Sequence, residues 1–86
     1  MPHTKSQEKR DRQAIASRAR NRAIRSELKT RARHVDEAVE SGDRDAAEQA
    51  LRIAQKRIDQ AVARGVLKKN TANRRKARLQ ALVASL

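Results

Sequence analysis

The apolar positions of this chain fall into three stretches, each with helical spacing. Ile24, Leu28, Ala32, Val35 and Val39 step by four, four, three and four, which puts them on one face of a helix. Nothing breaks a helix between Lys5 and Ser41, a run of about 37 residues, or roughly 55 Å if continuous. Ahead of Ile24 the stripe decays. Ile15 and Ala19 extend it on paper, but positions 17, 18, 20, 21 and 22 are all polar. The C-terminal half of this helix is expected to pack on partner helices, and the N-terminal half to project. A second stripe, Ala47, Ala50, Leu51, Ala54, Ile58, Ala61 and Val62, predicts a helix from about Arg44 to Arg64. Its many alanines imply close approach of its neighbours. A third, Ala72, Leu79, Leu82, Val83 and Leu86, predicts a helix from near Asn70 to about Ser85.

The punctuation agrees. Gly42 suits the left-handed conformation that closes a helix, and Asp43 is a good N-cap for the next. Gly65 ends the second helix in the same way, with Val66 and Leu67 plugging the connection. Asn70 is the expected N-cap of the third. Thr4 and Gln7 have the spacing of a capping box for the first, and Met1 to Thr4 is expected to be a disordered tail. The fold class predicted is all-α: a three-helix up-down-up bundle, residues 1–86 as one domain, with an extended, projecting, basic first helix.

Charge changes the picture more than composition does. Of 86 residues, 22 are Lys or Arg and ten are Asp or Glu, leaving a net charge of +12 and a pI near 11.6. That balance points to nucleic acid or another anionic surface. It is also segregated: residues 1–33 carry +8, 34–48 carry −5, 49–67 carry +3 and 68–86 carry +6. In an up-down-up bundle the acidic 34–48 turn lies at one end, facing away from a polyanion. The first and third helices run parallel, so their starts are expected to form the basic, binding end, with the Gly65 loop between them. A small core burdened by self-repulsion is marginal, and a partner supplying counter-charge stabilises it by mass action.

Several classes drop out. There is no Cys, so neither a disulfide nor thiolate zinc ligation supports the fold. No apolar run approaches the roughly 20 residues of a membrane span, and no signal-peptide core follows Met1. Phe, Trp and Tyr are absent, which removes the stacking platforms that read single-stranded RNA and favours the phosphate backbone of structured nucleic acid. No nucleophile–base pair and no phosphate-binding Gly loop is present, so an enzyme is not expected, and neither is a cofactor or a small-molecule substrate.

Three basic clusters are the candidate site. Lys5, Lys9, Arg10 and Arg12 open the first helix, where cations oppose the helix dipole unless phosphate lies beside them. Arg18, Arg20, Arg22, Arg25, Lys29, Arg31 and Arg33 wrap most of its circumference, with Asn21, Ser26 and Thr30 as short donors between them. A merely solvated helix would intersperse Glu for i,i+4 pairs, whereas here Glu27 alone is placed for one, with Arg31. Arg outnumbers Lys, which suits bidentate phosphate contacts. The third cluster is Lys68, Lys69 and Asn70, then Arg74, Arg75, Lys76 and Arg78, and free N–H groups near Asn70 offer a further phosphate site. His3 and His34 are too far apart for a local metal motif; His34 reads as a surface residue. The acids from Asp36 to Glu48 lack the loop spacing of a calcium site, and capping and charge separation explain them better.

With those residues in view, the chain resembles the small-subunit ribosomal protein S-twenty family of bacteria and plastids. The match runs through Lys5-Ser6, Lys9-Arg10, Arg20-Asn21, Arg25-Ser26, Leu28-Lys29-Thr30, Gly42-Asp43 and Ile58-Asp59. It is strongest over Gly65-Val66-Leu67-Lys68-Lys69-Asn70 with Ala72, Arg74, Arg75, Lys76, Ala77, Arg78 and Leu79. Gln7 and Lys68 stand where the family usually has Ala and often has His. The resemblance implies a three-helix bundle that binds 16S ribosomal RNA, in the 5′ domain and at the foot of the long decoding-site helix. It implies a structural role, bridging RNA helices during assembly beside other small-subunit components, in the cytoplasm or the plastid stroma. Charge alone leaves a nucleoid-type DNA-binding protein and a helical module for an acidic protein as rivals. A membrane-active helix is weaker, because the basic helix lacks a broad bulky-apolar face.

Overall fold

The computed structural model describes residues 5–86; the expected tail Met1–Thr4, the Thr4 half of the capping box and His3 lie outside the described residues. Three helices follow one another: α1 (Lys5–Glu40), α2 (Arg44–Ala63) and α3 (Lys69–Ala84). The expected all-α bundle is what forms.

Both connections are built on glycine. Gly42 has φ of +72° and Gly65 has φ of +75°, the left-handed region that an L side chain resists. At the end of α1 the Gly42 N–H donates to Val39 O and the Asp43 N–H to Ala38 O. At the end of α2 the Gly65 N–H donates to Val62 O and the Val66 N–H to Ala61 O. Each is the paired-bond helix stop that satisfies the last carbonyls. Val66 and Ala61 are both buried, supplying the apolar contact that accompanies this motif. Asp43 serves twice: it closes α1 through its backbone and caps α2, its carboxylate accepting from the Ala46 N–H at 3.1 Å.

The start of α3 differs from expectation. The N-cap is Lys68, extended at φ −77° and ψ 146°, and not Asn70, which lies inside the first turn. Lys68 O already accepts from the Ala72 N–H, the first bond of the helix. The packing of Val66 and Leu67 against the core decides where the chain turns, so the helix begins directly after them whatever side chain stands there. Lys68 has no acceptor, and no side chain caps α3.

The core is thin and without aromatic residues. Its buried members are Leu28 and Val35 from α1; Ala47, Ala54, Ile58 and Ala61 from α2; Val66; and Ala72, Leu79 and Val83 from α3. Ala47, Ala54 and Ala61 recur every seven residues, giving α2 a small-residue seam, and its closest association is with α1. Ile24, Ala32, Val39, Leu51, Val62, Leu82 and Leu86 are partly buried around that centre, as their stripes predict.

None of this reaches the first third of α1. Every residue from Lys5 to Ala16 is exposed, Ile15 to 60%. The molecule measures 60 × 22 × 16 Å with a radius of gyration of 17.4 Å, against about 12 Å for a compact domain of this length.

Candidate nucleic-acid interface

The cations of α1 sort into faces by their spacing. Arg18, Arg22, Arg25 and Lys29 step by four, three and four, so they share one side of the helix. All four are exposed, and none pairs with a carboxylate among the described residues. α3 runs beside the lower part of this face. Lys29, Arg75 and Arg78 rim a groove between the two helices, floored by Leu28, Ala32, Ile58 and Leu79. Cations from two helices therefore converge over an apolar floor, and the second and third predicted clusters are joined there. Arg74 is exposed next to them.

Other predicted residues are drawn partly into the fold. Lys76 Nζ lies 2.8 Å from Asp59 Oδ1 and donates to it, tying α3 to α2. Arg33 pairs with Glu37 at 3.6 Å, one turn on, and Arg78 lies 4.0 Å from Asp36. Pairs this exposed contribute at most about 1 kcal/mol each, so they orient these side chains more than they stabilise the bundle. Thr30 Oγ1 donates to Ser26 O at 3.1 Å, so its hydroxyl hydrogen is used inside its own helix. Ser26 is exposed; Asn21 is half-buried.

Glu27, the lone acid of the cationic stretch, has more to do than its expected pairing with Arg31. Its Oε1 lies 3.7 Å from Arg31 Nε and 3.1 Å from Arg57 Nε of α2, so one carboxylate faces two guanidiniums. Both Nε atoms are buried and neither meets an acceptor at hydrogen-bond geometry: these are charge contacts with the N–H aimed elsewhere. Arg57 instead donates from Nη1 to Gln60 Oε1 at 3.0 Å.

Lys5, Lys9, Arg10 and Arg12 are exposed and without carboxylate partners among the described residues. They do not share an end with the start of α3, as the charge pattern predicted. α1 has 36 residues and α2 has 20, so the chain returns only partway along α1 before α3 begins. Arg64, at the end of α2, lines a cleft with Ser17, Arg20, Asn21 and Ile24, near the middle of α1. The basic surface is thus a long face with a free arm rather than a single end. Lys68, Lys69 and Asn70 stand exposed at the uncapped start of α3, where first-turn N–H groups remain open to an anion. The acids of residues 36–48 collect at the opposite pole, some of them spent on Arg33, Arg44 and Arg78.

Sequence reasoning passed over Arg57 and Arg64. Each sits on a stripe whose neighbours are core residues, and only the α1–α2 register shows that both face the cationic stretch of α1. His34 is exposed, and among the described residues no group of His, Asp and Glu side chains is placed to hold a metal ion. No helix among them is long and apolar enough to cross a membrane.

Comparison with known proteins adds to this geometry. A family described as Ribosomal protein S20 matches residues 2–84. The chain is 49% identical over 86 residues to small ribosomal subunit protein bS20 of Kocuria rhizophila, covering 100% of both chains. It is 48% identical over 86 residues to the protein of that name in Fusobacterium nucleatum, covering 100% of this chain and 96% of the relative. With that of Campylobacter jejuni it shares 48% over 83 residues, 96% of this chain and 95% of the relative.

Proposed function

Because the chain belongs to the ribosomal protein S20 family, we propose that it is a structural component of the small ribosomal subunit that binds 16S ribosomal RNA directly and bridges RNA helices during assembly. The observation that carries the RNA-binding surface is the row Arg18, Arg22, Arg25 and Lys29, free of carboxylates and joined by Arg75 across the groove to α3. A row of unpaired cations on a rigid helix tracks a phosphate backbone, and a second helix beside it offers a second backbone its own contacts. The free arm, Lys5 to Arg12, reaches beyond the bundle, and the open N–H groups and lysines at the start of α3 receive another phosphate. The family is one of ribosomal structural proteins, not enzymes, and the role needs no cofactor. Its place is the cytoplasm, or the stroma of a plastid, within the small subunit. The RNA address is the 5′ domain and the foot of the long decoding-site helix.

Binding of this kind releases counterions, so affinity falls steeply with salt. The direct test is sedimentation of a cell extract, the protein detected by antibody, with a ribonuclease-treated control. Co-migration with small subunits that is lost on digestion is expected, and footprinting on 16S RNA then checks the two contact regions. Migration with chromosomal DNA, or in a protein complex that survives nuclease, would overturn the reading.

A further inference from the structure

We infer that the cleft between the middle of α1 and the end of α2 is a phosphate site in which Arg20 and Arg64 grip the same backbone phosphate of the RNA. The inference rests on the RNA-binding reading above and adds a contact from α2, the helix otherwise given over to packing.

At several places where the helices of this fold meet, a carboxylate takes up a cation. Glu27 faces both Arg31 and Arg57, Asp59 holds Lys76, and Asp36 lies against Arg78. The Arg20–Arg64 cleft has no carboxylate in its lining, which is Ser17, Arg20, Asn21, Ile24 and Arg64. Neither arginine pairs with a carboxylate among the described residues, and the nearest acid along this face of α1, Glu27, already serves two other guanidiniums. Two like charges directed into one cleft repel until an anion lies between them.

The donors present suit a phosphodiester. Two guanidinium forks carry the charge and match non-bridging oxygens in a planar, bidentate way. The Ser17 hydroxyl and the Asn21 amide add neutral donors, and Ile24 closes one wall to water. Arg20 Nη2 donates to Ser17 Oγ at 3.4 Å, a long bond that leaves the fork at the cleft and free to tighten on a better acceptor. Arg64 is the C-cap of α2, its backbone N–H bonded to Gln60 O and Val62 O, so the root of its side chain is fixed by the helix stop. The cleft, about 410 Å³, is open to solvent, so a phosphate enters without its chain having to end there. One phosphate held by both helices would also lock the α1–α2 packing, linking RNA occupancy to the integrity of the bundle.

A double-mutant cycle tests this: the full chain, Arg20→Gln, Arg64→Gln and the double variant, each titrated with 16S 5′-domain RNA over a range of salt, with thermal unfolding of the free proteins alongside. Both side chains are exposed, so unchanged unfolding is expected. Each single change is expected to weaken binding roughly ten-fold and to lower the salt slope by about one. The double variant is expected to bind about as weakly as the weaker single variant, because one phosphate is lost only once. Losses that multiply would mean two separate contacts and overturn the shared site. Unchanged affinity in Arg64→Gln, with the wild type bound normally, overturns this inference alone. A wild-type chain that fails to bind the RNA overturns the reading beneath it as well.

Discussion

The two halves of α1 belong to one unbroken helix yet live in different surroundings. From Ile24 to Glu40 the helix contributes Leu28 and Val35 to the core, with Ile24, Ala32 and Val39 beside them. From Lys5 to Ala16 it touches nothing that buries a side chain. Both halves are rich in good helix formers, and both carry cations. What separates them is apolar spacing: one half repeats an aliphatic residue every three or four positions, and the other offers Ile15 and alanines. Propensity extends the helix, but packing anchors it. The contrast gives a division of labour, a bundle that holds position and an arm that reaches.

The largest break to that contrast comes from the anchored half. Leu28 is 4% exposed, and Leu28→Asp both empties its site and buries a charge. Truncation alone at such a site costs about 2–5 kcal/mol, and the carboxylate adds to it, so cooperative thermal unfolding followed by circular dichroism should vanish. A retained sharp transition would mean that α1 is not anchored through this residue. Arg22→Glu probes the other side. Arg22 is exposed and without a carboxylate partner, so the free protein should melt as the wild type does. Its affinity for 16S RNA should fall roughly ten-fold or more, with a salt slope lower by at least about one. Normal affinity in the folded variant would remove this face from the interface. The smallest effect is expected from Ile15→Gln. With Ile15 60% exposed, free-protein stability should shift by less than about 0.5 kcal/mol, measured by denaturant titration. A larger loss would show that the arm folds back on the bundle in solution.

Much of the fold was legible because local rules sufficed. Gly42 and Gly65 stand where the chain needs a positive φ, Asp43 where α2 needs an acceptor, and the α1 stripe where the core lies. Asn70 misled because a good capping residue was present two residues too late; burial of Val66 and Leu67 outweighed it. The Arg33–Glu37 pair obeys the same i,i+4 spacing as Glu27–Arg31, but its acid lies just beyond the cationic stretch. The contacts of Glu27 with Arg57 and of Asp59 with Lys76 had no local signature: they depend on how far one helix slides along another. The same register puts Arg64 beside Arg20, and the unequal lengths of α1 and α2 bring the start of α3 to the middle of α1. Charge runs marked the candidate residues, but only packing told which of them face one another.

The acidic pole at the α1–α2 turn has a consequence for how the molecule arrives. A chain with uniform positive charge would be drawn to RNA in any orientation and would have to search for the right one after contact. Here residues 34–48 carry −5 at one end, while residues 1–33 carry +8 and residues 68–86 carry +6. The separation makes a large electric dipole, and the field of a polyanion exerts a torque on it. Over the last nanometre or so, within about one Debye length at physiological ionic strength, that torque turns the acidic pole away from the polyanion before any atom touches. The acids thus act during approach, raising the fraction of encounters that begin correctly aligned.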